Sequence, residues 1–472
     1  MSEETRRIRW PWLLGSLIPL ALFFAVLSLF WLPDGRPEIR PLGSLADIEA
    51  LSERDDTNVL FILLDTLRAD RLTPYGYERN TSPQMDQLAD EGVLFGRHLA
   101  QSSWTKASMA SLWTGMNPLR AGITRHDEVL PEDAELPAEI LAEAGFNTVG
   151  LYRNGWVSPN FGFGQGFDIY TKPAARPLDR LALQQNPTLS EAFTDEDVLE
   201  NAMEFLRIEG RGRWFLYLHL MDIHEYTYDQ ESALFGGGYS DIYDNSIRRV
   251  DDLLGIFMEF LDEQGLADKT IVVIASDHGE AFRERGFEGH ARAVFRESTE
   301  VPLLIRFPFR LPEGIVLSNR TRNVDVWPTL MDLLGLDGSD QADGRSLLPD
   351  ILGAGRGESL APDSQIAIAH LDSSWGRPGM DPRHAVAVAD GPYRYVRHAV
   401  GGGGMKENLF YATEEDPSEL EDLAEVDSEK LIELRELGDA YLETAPQWGE
   451  SQTREIGEME LNQLRALGYA IP

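Results

Sequence analysis

Phe61-Ile62-Leu63-Leu64-Asp65-Thr66 and, far downstream, Ile274-Ala275-Ser276-Asp277-His278-Gly279-Glu280 are short apolar runs that each end in groups able to bind a metal. Runs of this kind read as parallel strands buried on both faces, and in open α/β sheets ligands gather beyond the carboxyl ends of the strands. Asp65, Asp277 and His278 are therefore expected in one crevice. Two oxygen ligands and one imidazole suit Zn²⁺ or Mn²⁺ better than Ca²⁺, which prefers oxygen throughout. The expectation is one divalent ion, Mn²⁺ or Zn²⁺ ahead of Ca²⁺ or Mg²⁺. The plainer alternative is a pair of ordinary loop carboxylates.

The rest of the chain fits the same class. Strand-like runs at Thr148–Tyr152, Trp214–Leu220 and Thr270–Ile274 alternate with helical patterns. This predicts an α/β fold with a mainly parallel central sheet layered by helices. Ile242 to Glu263 has helical apolar spacing and leads into the strand that delivers Asp277. Leu330 to Leu336 ends a helix at a glycine stop. After Gly353 to Pro362 the pattern changes to short strands at Ala385–Ala389 and Tyr393–Arg397, with a turn at Gly401–Gly404. A small C-terminal antiparallel-sheet subdomain follows, and then an acidic helical tail from Ser428.

Trp10 to Leu32 carries no charge, and about 20 apolar residues suffice to cross a bilayer. Arg6, Arg7 and Arg9 precede it, which keeps the N-terminus in the cytoplasm. Phe30-Trp31-Leu32-Pro33-Asp34 offers no small-residue cleavage site. The expected division is a cytoplasmic tail 1–9, a transmembrane signal-anchor helix 10–32, a tether 33–57, a main domain 58–352, a subdomain 353–427 and a tail 428–472. The bulk of the chain is then extracytoplasmic, on the outer side of the cytoplasmic membrane.

A net charge of −37 argues against nucleic acid and polyanionic surfaces as partners. The absence of cysteine excludes disulfides, thiolate metal sites and a cysteine nucleophile. Composition leaves the oligomeric state open.

A third segment adds chemistry. Ser103-Trp104-Thr105-Lys106-Ala107-Ser108-Met109-Ala110-Ser111-Leu112-Trp113-Thr114-Gly115 places a hydroxyl residue at the head of an apolar helix, where free N–H groups stabilise developing negative charge. On spacing alone Thr105 reads first as a helix cap. Here the chain resembles the sulfatase branch of the alkaline phosphatase superfamily, which carries a Cys- or Ser-x-Pro-Ser-Arg motif ahead of a helix ending in Thr-Gly. The resemblance runs from about Asn58 to the C-terminus. It includes Asp65-Thr66-Leu67-Arg68-Ala69-Asp70, Gly162-Phe163-Gly164-Gln165-Gly166-Phe167-Asp168, Ser276-Asp277-His278-Gly279-Glu280, Gly289-His290 and Val301-Pro302-Leu303.

The resemblance implies an alkaline phosphatase-like sandwich and puts Thr105 in the nucleophile's place. Asp65, Thr105, Asp277 and His278 would hold the metal. His224 and His290 would contact the anion or protonate the leaving group, and Arg153-Asn154 would contact substrate. Lys106 would offset charge on the transferred group. His126 and His219 match no motif. Three departures matter: Ala107 stands for the motif's Pro, Met109 for its Arg, and Thr66 for a second acidic ligand. A threonine cannot become formylglycine, so these features imply a hydrolase of phosphate or sulfate esters with a covalent intermediate, phosphoester favoured. The substrate would be a small anionic ester, a lipid or a glycan. The alternatives are a phosphoethanolamine- or phosphoglycerol-type transferase acting on envelope lipids or glycans, and a non-catalytic binding protein on a degenerate fold.

Overall fold

In the computed structural model, β1 (Asn58–Leu64) is buried at every position. The described residues are 40–173, 194–358, 366–377, 379–400, 404–412, 416 and 418–466. The expected anchor at 10–32 and the glycine turn at 401–403 lie outside them. Among the described residues no helix is long and apolar enough to cross a membrane.

The central sheet has eight strands. In chain order these are β1, β2 (Val93–Leu99), β4 (Asn147–Tyr152), β5 (Ile169–Thr171), β6 (Trp214–Leu220), β7 (Thr270–Ala275), β10 (Leu303–Arg306) and β11 (Ile315–Arg322). The short β3 (Glu128–Val129), β8 (Ala281–Phe282) and β9 (Glu288–Gly289) lie outside the sheet. Across it the order is β11-β2-β10-β7-β1-β6-β4-β5. Every pairing is parallel except the two made by β10. In register, Ile62 of β1 sits opposite Ile274 of β7 and Leu218 of β6.

Alternate strand residues point to opposite faces, so the sheet divides two apolar cores. Phe61, Leu63, Phe215, Tyr217 and Val273 pack with helices Thr105–Thr114 and Val326–Leu334. Leu60, Ile62, Leu216, Leu218 and Ile274 pack with helices Pro83–Glu91, Asp195–Glu209 and Tyr239–Glu263. Both faces are thus covered, which is why these strands read as unbroken apolar runs. The predicted glycine stop is Gly335, at φ +65 after helix Val326–Leu334.

The C-terminal subdomain is a four-stranded antiparallel meander, β12 (Ala367–Asp372), β13 (His384–Asp390), β14 (Tyr393–Ala399) and β15 (Met405–Tyr411). Ala369, Ala385, Ala387, Val396 and Phe410 join the main core. The opposite face takes helix Ser428–Leu442 through Leu431, Leu434 and Tyr441. The tail therefore divides. Its helix belongs to the subdomain, whereas β16 (Gln452–Thr453) returns to pair with β3.

Candidate active site

The strand order brings five strand ends together on one edge. Beyond β1 comes Asp65, beyond β7 come Asp277 and His278, beyond β4 comes Asn154, beyond β6 comes His224, and the turn after β2 leads to Thr105. Asp65, Thr105, Asn154, Asp277 and His278 are all fully buried.

Each carboxylate is half used. Asp65 Oδ2 accepts from Asn154 Nδ2 at 2.7 Å and from His219 Nε2 at 3.0 Å, while Asp277 Oδ1 accepts from the backbone N–H of His278 at 2.9 Å and of Thr66 at 3.3 Å. Asp65 Oδ1 and Asp277 Oδ2 have no hydrogen-bond partner among the described residues. Orphaned buried oxygens are costly, and two that share a cluster with an imidazole nitrogen form a cation site in waiting. The ligand atoms of Asp65, Asp277 and His278 lie within 4.8 Å of one another. His278 Nδ1–H donates to the Gly279 carbonyl at 3.0 Å, which leaves Nε2 as the lone-pair nitrogen facing the carboxylates. These residues fit a divalent ion.

The charges agree with that fit. Burial pushes Asp277 up to about 6, and the neighbouring Asp65 charge adds to the effect. Burial also acts to raise Asp65, but His224, His219 and His278 outweigh it and hold the group below the usual carboxylate range. Thr66, beside Asp65, is at φ +64, an outlier for a β-branched residue. Tyr243 Oη donates to its carbonyl at 2.7 Å and holds it there.

Thr105 is the first residue of helix Thr105–Thr114, and Trp104 occupies the cap position. Its Oγ1 lies 3.1 Å from His278 Nε2, to which it donates, and accepts from Asn154 Nδ2 at 3.4 Å. The hydroxyl thus faces the ligand cluster. Ser108 fastens the helix by donating to the Asp277 carbonyl at 2.5 Å.

His290 stacks on His278 with ring centroids 4.5 Å apart, and His224 lies 5.1 Å from His290. His290 Nδ1 is 3.1 Å from Glu280 Oε2. Burial acts to lower His290, but the charge and hydrogen bond of Glu280 prevail and raise it. Burial lowers His224 to about 4. One ring near the centre therefore favours the protonated form and the other the neutral form.

Two expected residues stand elsewhere. Lys106 turns to other partners: its Nζ donates to the His126 carbonyl at 2.8 Å and lies 3.8 Å over the Phe161 ring. Consecutive helix residues are rotated by about 100°, so position 106 cannot share the direction of 105. Burial lowers its pKa well below the ordinary value. Arg153 sits in a cage of buried carboxylates, 2.5 Å from Asp195, 2.6 Å from Asp222 and 2.6 Å from Glu225. Asp195 in turn accepts the N–H groups of Met221 and Asp222. Arg153 thereby clamps the turn that carries His224. Asn154, its neighbour, points the other way into the centre.

His219 belongs to the site although no motif marked it. Tyr217 Oη donates to its Nδ1 at 2.7 Å, so its Nε2–H is committed to Asp65. A lone histidine inside the apolar run Trp214–Leu220 was the available signal, because a buried polar group in a covered strand must have partners. Glu280, fully buried behind His290, is the other addition.

Residues 57–336 match the family model described as Sulfatase, and residues 284–437 match that for the C-terminal region of N-sulphoglucosamine sulphohydrolase. The chain is 27% identical over 346 residues to N-acetylgalactosamine-6-sulfatase of Homo sapiens, with 62% of this chain and 66% of that protein covered. The chain thus spans just under two thirds of that relative's length. In fold it resembles a 2-O GAG sulfatase at TM-score 0.67, 20% identity, with 82% of this chain and 92% of that one covered. It also resembles the phosphonate monoester hydrolase of Agrobacterium radiobacter at TM-score 0.61, 20% identity, with 85% and 100% covered.

Proposed function

Because the chain belongs to the sulfatase family, we propose that it is a metal-dependent ester hydrolase that uses Thr105 as nucleophile and prefers phosphoesters to sulfate esters. One observation carries this reading: two buried carboxylates each keep an unpartnered oxygen beside a threonine hydroxyl at a helix head. A divalent ion held by Asp65, Thr105, Asp277 and His278 would lower the pKa of the hydroxyl and offset charge on the ester. Retention of those orphaned oxygens also speaks against a degenerate binding protein, in which such an unsatisfied arrangement has no use.

The chain's own residues supply the rest. Asn154 and His219 fix Asp65 so that its free oxygen points inward. Thr105 Oγ1 attacks the central phosphorus or sulfur as its proton passes to solvent, the P–O or S–O bond to the alcohol breaks, and the departing oxygen takes a proton from His290. His290 is suited to this because Glu280 favours its charged form. Water then attacks the same central atom and gives a proton to the now neutral His290, the bond to Thr105 Oγ1 breaks, and the released oxygen regains its proton from solvent.

Phosphorus is preferred for a chemical reason. A simple threonine ester must be cleaved by a second attack at the central atom, since threonine has no hemiacetal route for expelling the group. Phosphoesters carry more negative charge for nearby cations and histidines to neutralise, and accept that attack more readily. A screen of aryl phosphate mono- and diesters, phosphonates and sulfates with Mn²⁺ or Zn²⁺ is expected to show phosphoesters turned over fastest. Aryl sulfates outrunning every phosphoester would reverse the preference.

The proposed location is outside the cytoplasmic membrane, on the strength of the uncharged stretch Trp10–Leu32 and the arginines before it. Protease added to intact spheroplasts should digest the large domain. Complete protection would place it on the other side.

A further inference from the structure

The helix that begins at Thr105 has a second use at its other end. Trp113 and Thr114, in its last turn, line a pocket of about 340 Å³, a volume within the range of small-molecule sites. At 1.5 Å per residue, Trp113 stands roughly 12 Å along the helix axis from Thr105. Asp65, Asp277, His278, His224 and His290 are not among the residues that line this pocket.

Trp327, on helix Val326–Leu334, stacks on Trp113 with ring centroids 5.3 Å apart. With Met331 and Leu336 the two indoles form the apolar part of the lining. Trp113 is 2% exposed and Trp327 3%, and neither Nε1–H has a hydrogen-bond partner among the described residues. A buried indole N–H ordinarily finds an acceptor. One orphan by itself says little. Two on stacked rings that line the same pocket call for an acceptor brought in from outside.

The charges restrict what that acceptor belongs to. Glu135, Asp332 and Asp337 line the pocket and are exposed, while its Arg345 is already paired with Asp350 at 2.6 Å. The C-terminal carbonyls of the helix, at Thr114 and Gly115, add partial negative charge. An anion is repelled there, so the pocket is not a second seat for an anionic ester. An ammonium group carries donors alone and leaves both indole N–H groups unsatisfied.

We propose that this pocket binds a neutral monocyclic molecule bearing a carbonyl oxygen, its apolar body against Met331 and Leu336 and its oxygen accepting from an indole N–H. The site is separate from the catalytic centre, and the proposal stands whichever residue is the nucleophile.

Three probes of similar size test it: acetophenone, ethylbenzene, which replaces the carbonyl with a methylene, and the anion benzoate. The full chain labelled with ¹⁵N in its ten tryptophans is titrated with each, and the indole N–H resonances are followed by NMR. Trp113→Phe and Trp327→Phe each delete one resonance and so assign it. Acetophenone should shift both assigned resonances and saturate at a concentration about fivefold lower than ethylbenzene, in keeping with one neutral hydrogen bond. Benzoate should leave them in place. Equal binding of acetophenone and ethylbenzene would overturn the role of the indole donors, and no shift of either resonance would overturn the site itself. A second variant does not depend on the core. Asp337→Lys, on the exposed rim, should admit benzoate with at least a fivefold gain in affinity as read by calorimetry, and unchanged exclusion would overturn the argument from charge.

Discussion

Thr105→Ala is expected to lose turnover by a factor on the order of 10⁴ or more, with fold and most metal affinity retained. The side chain is small, sits at the first position of its helix, and leaves Asp65, Asp277 and His278 in place. Thr105→Ser should keep a measurable fraction, since the hydroxyl survives at the same helix head. Rapid quench of the wild type with a phosphoester, followed by mass spectrometry, should find phosphate on the peptide carrying Thr105. Wild-type turnover by Thr105→Ala would mean that the attacking group is elsewhere, and Ser102 or Ser103 would be the next to test.

Asp277→Ala should remove both stoichiometric metal and activity. One of the two orphaned oxygens disappears, and the remaining donors cannot complete a first shell. Elemental analysis of the purified domain reads this directly, and unchanged occupancy would show that the ion is held elsewhere. The same carboxylate sets a pH limit. Burial raises Asp277 to about 6, and only its anion binds a cation, so metal is held best above that pH and is lost as pH falls through it. A competition titration against a weak chelator between pH 5 and 8 should show the fall on the acid side. A flat profile would put Asp277 outside the ligand set.

The cluster of Asp65, Asp277 and His278 was legible in the sequence because it depends on few things. Asp65 and Asp277-His278 each follow an apolar run, and a parallel sheet gathers such ends whatever lies between. The finer arrangement depends on side-chain direction, which spacing does not carry. Arg153 and Asn154 are adjacent and looked alike as substrate contacts, yet residues leaving a strand turn opposite ways. One enters a carboxylate cage and the other reaches Asp65 and Thr105. Lys106 erred through the same cause on a helix. His219 was readable in principle. It was the polar residue in a strand that offered no solvent, and its partner had to be sought across the register, where Leu63 of β1 sits opposite it and leads to Asp65. The tail could not be divided from its composition. Helix Ser428–Leu442 and strand β16 are both acidic in context, and only packing assigns one to the subdomain and the other to β3.

The placement of β1 between β6 and β7 also orders events as the chain is made. Thr66 and Asp277 are 211 residues apart, and Thr105 and His278 are 173 apart. On the ribosome Asp65 emerges with both flanks of its strand still open, and neither neighbour exists until much of the protein has been translated. Until β6 appears both edges of β1 are unpaired, and one of them stays open until β7 follows. The helix headed by Thr105 is likewise synthesised long before the imidazole that accepts its hydrogen bond. The cluster of Asp65, Asp277 and His278, with its contact to Thr105, is therefore complete only once His278 has left the ribosome.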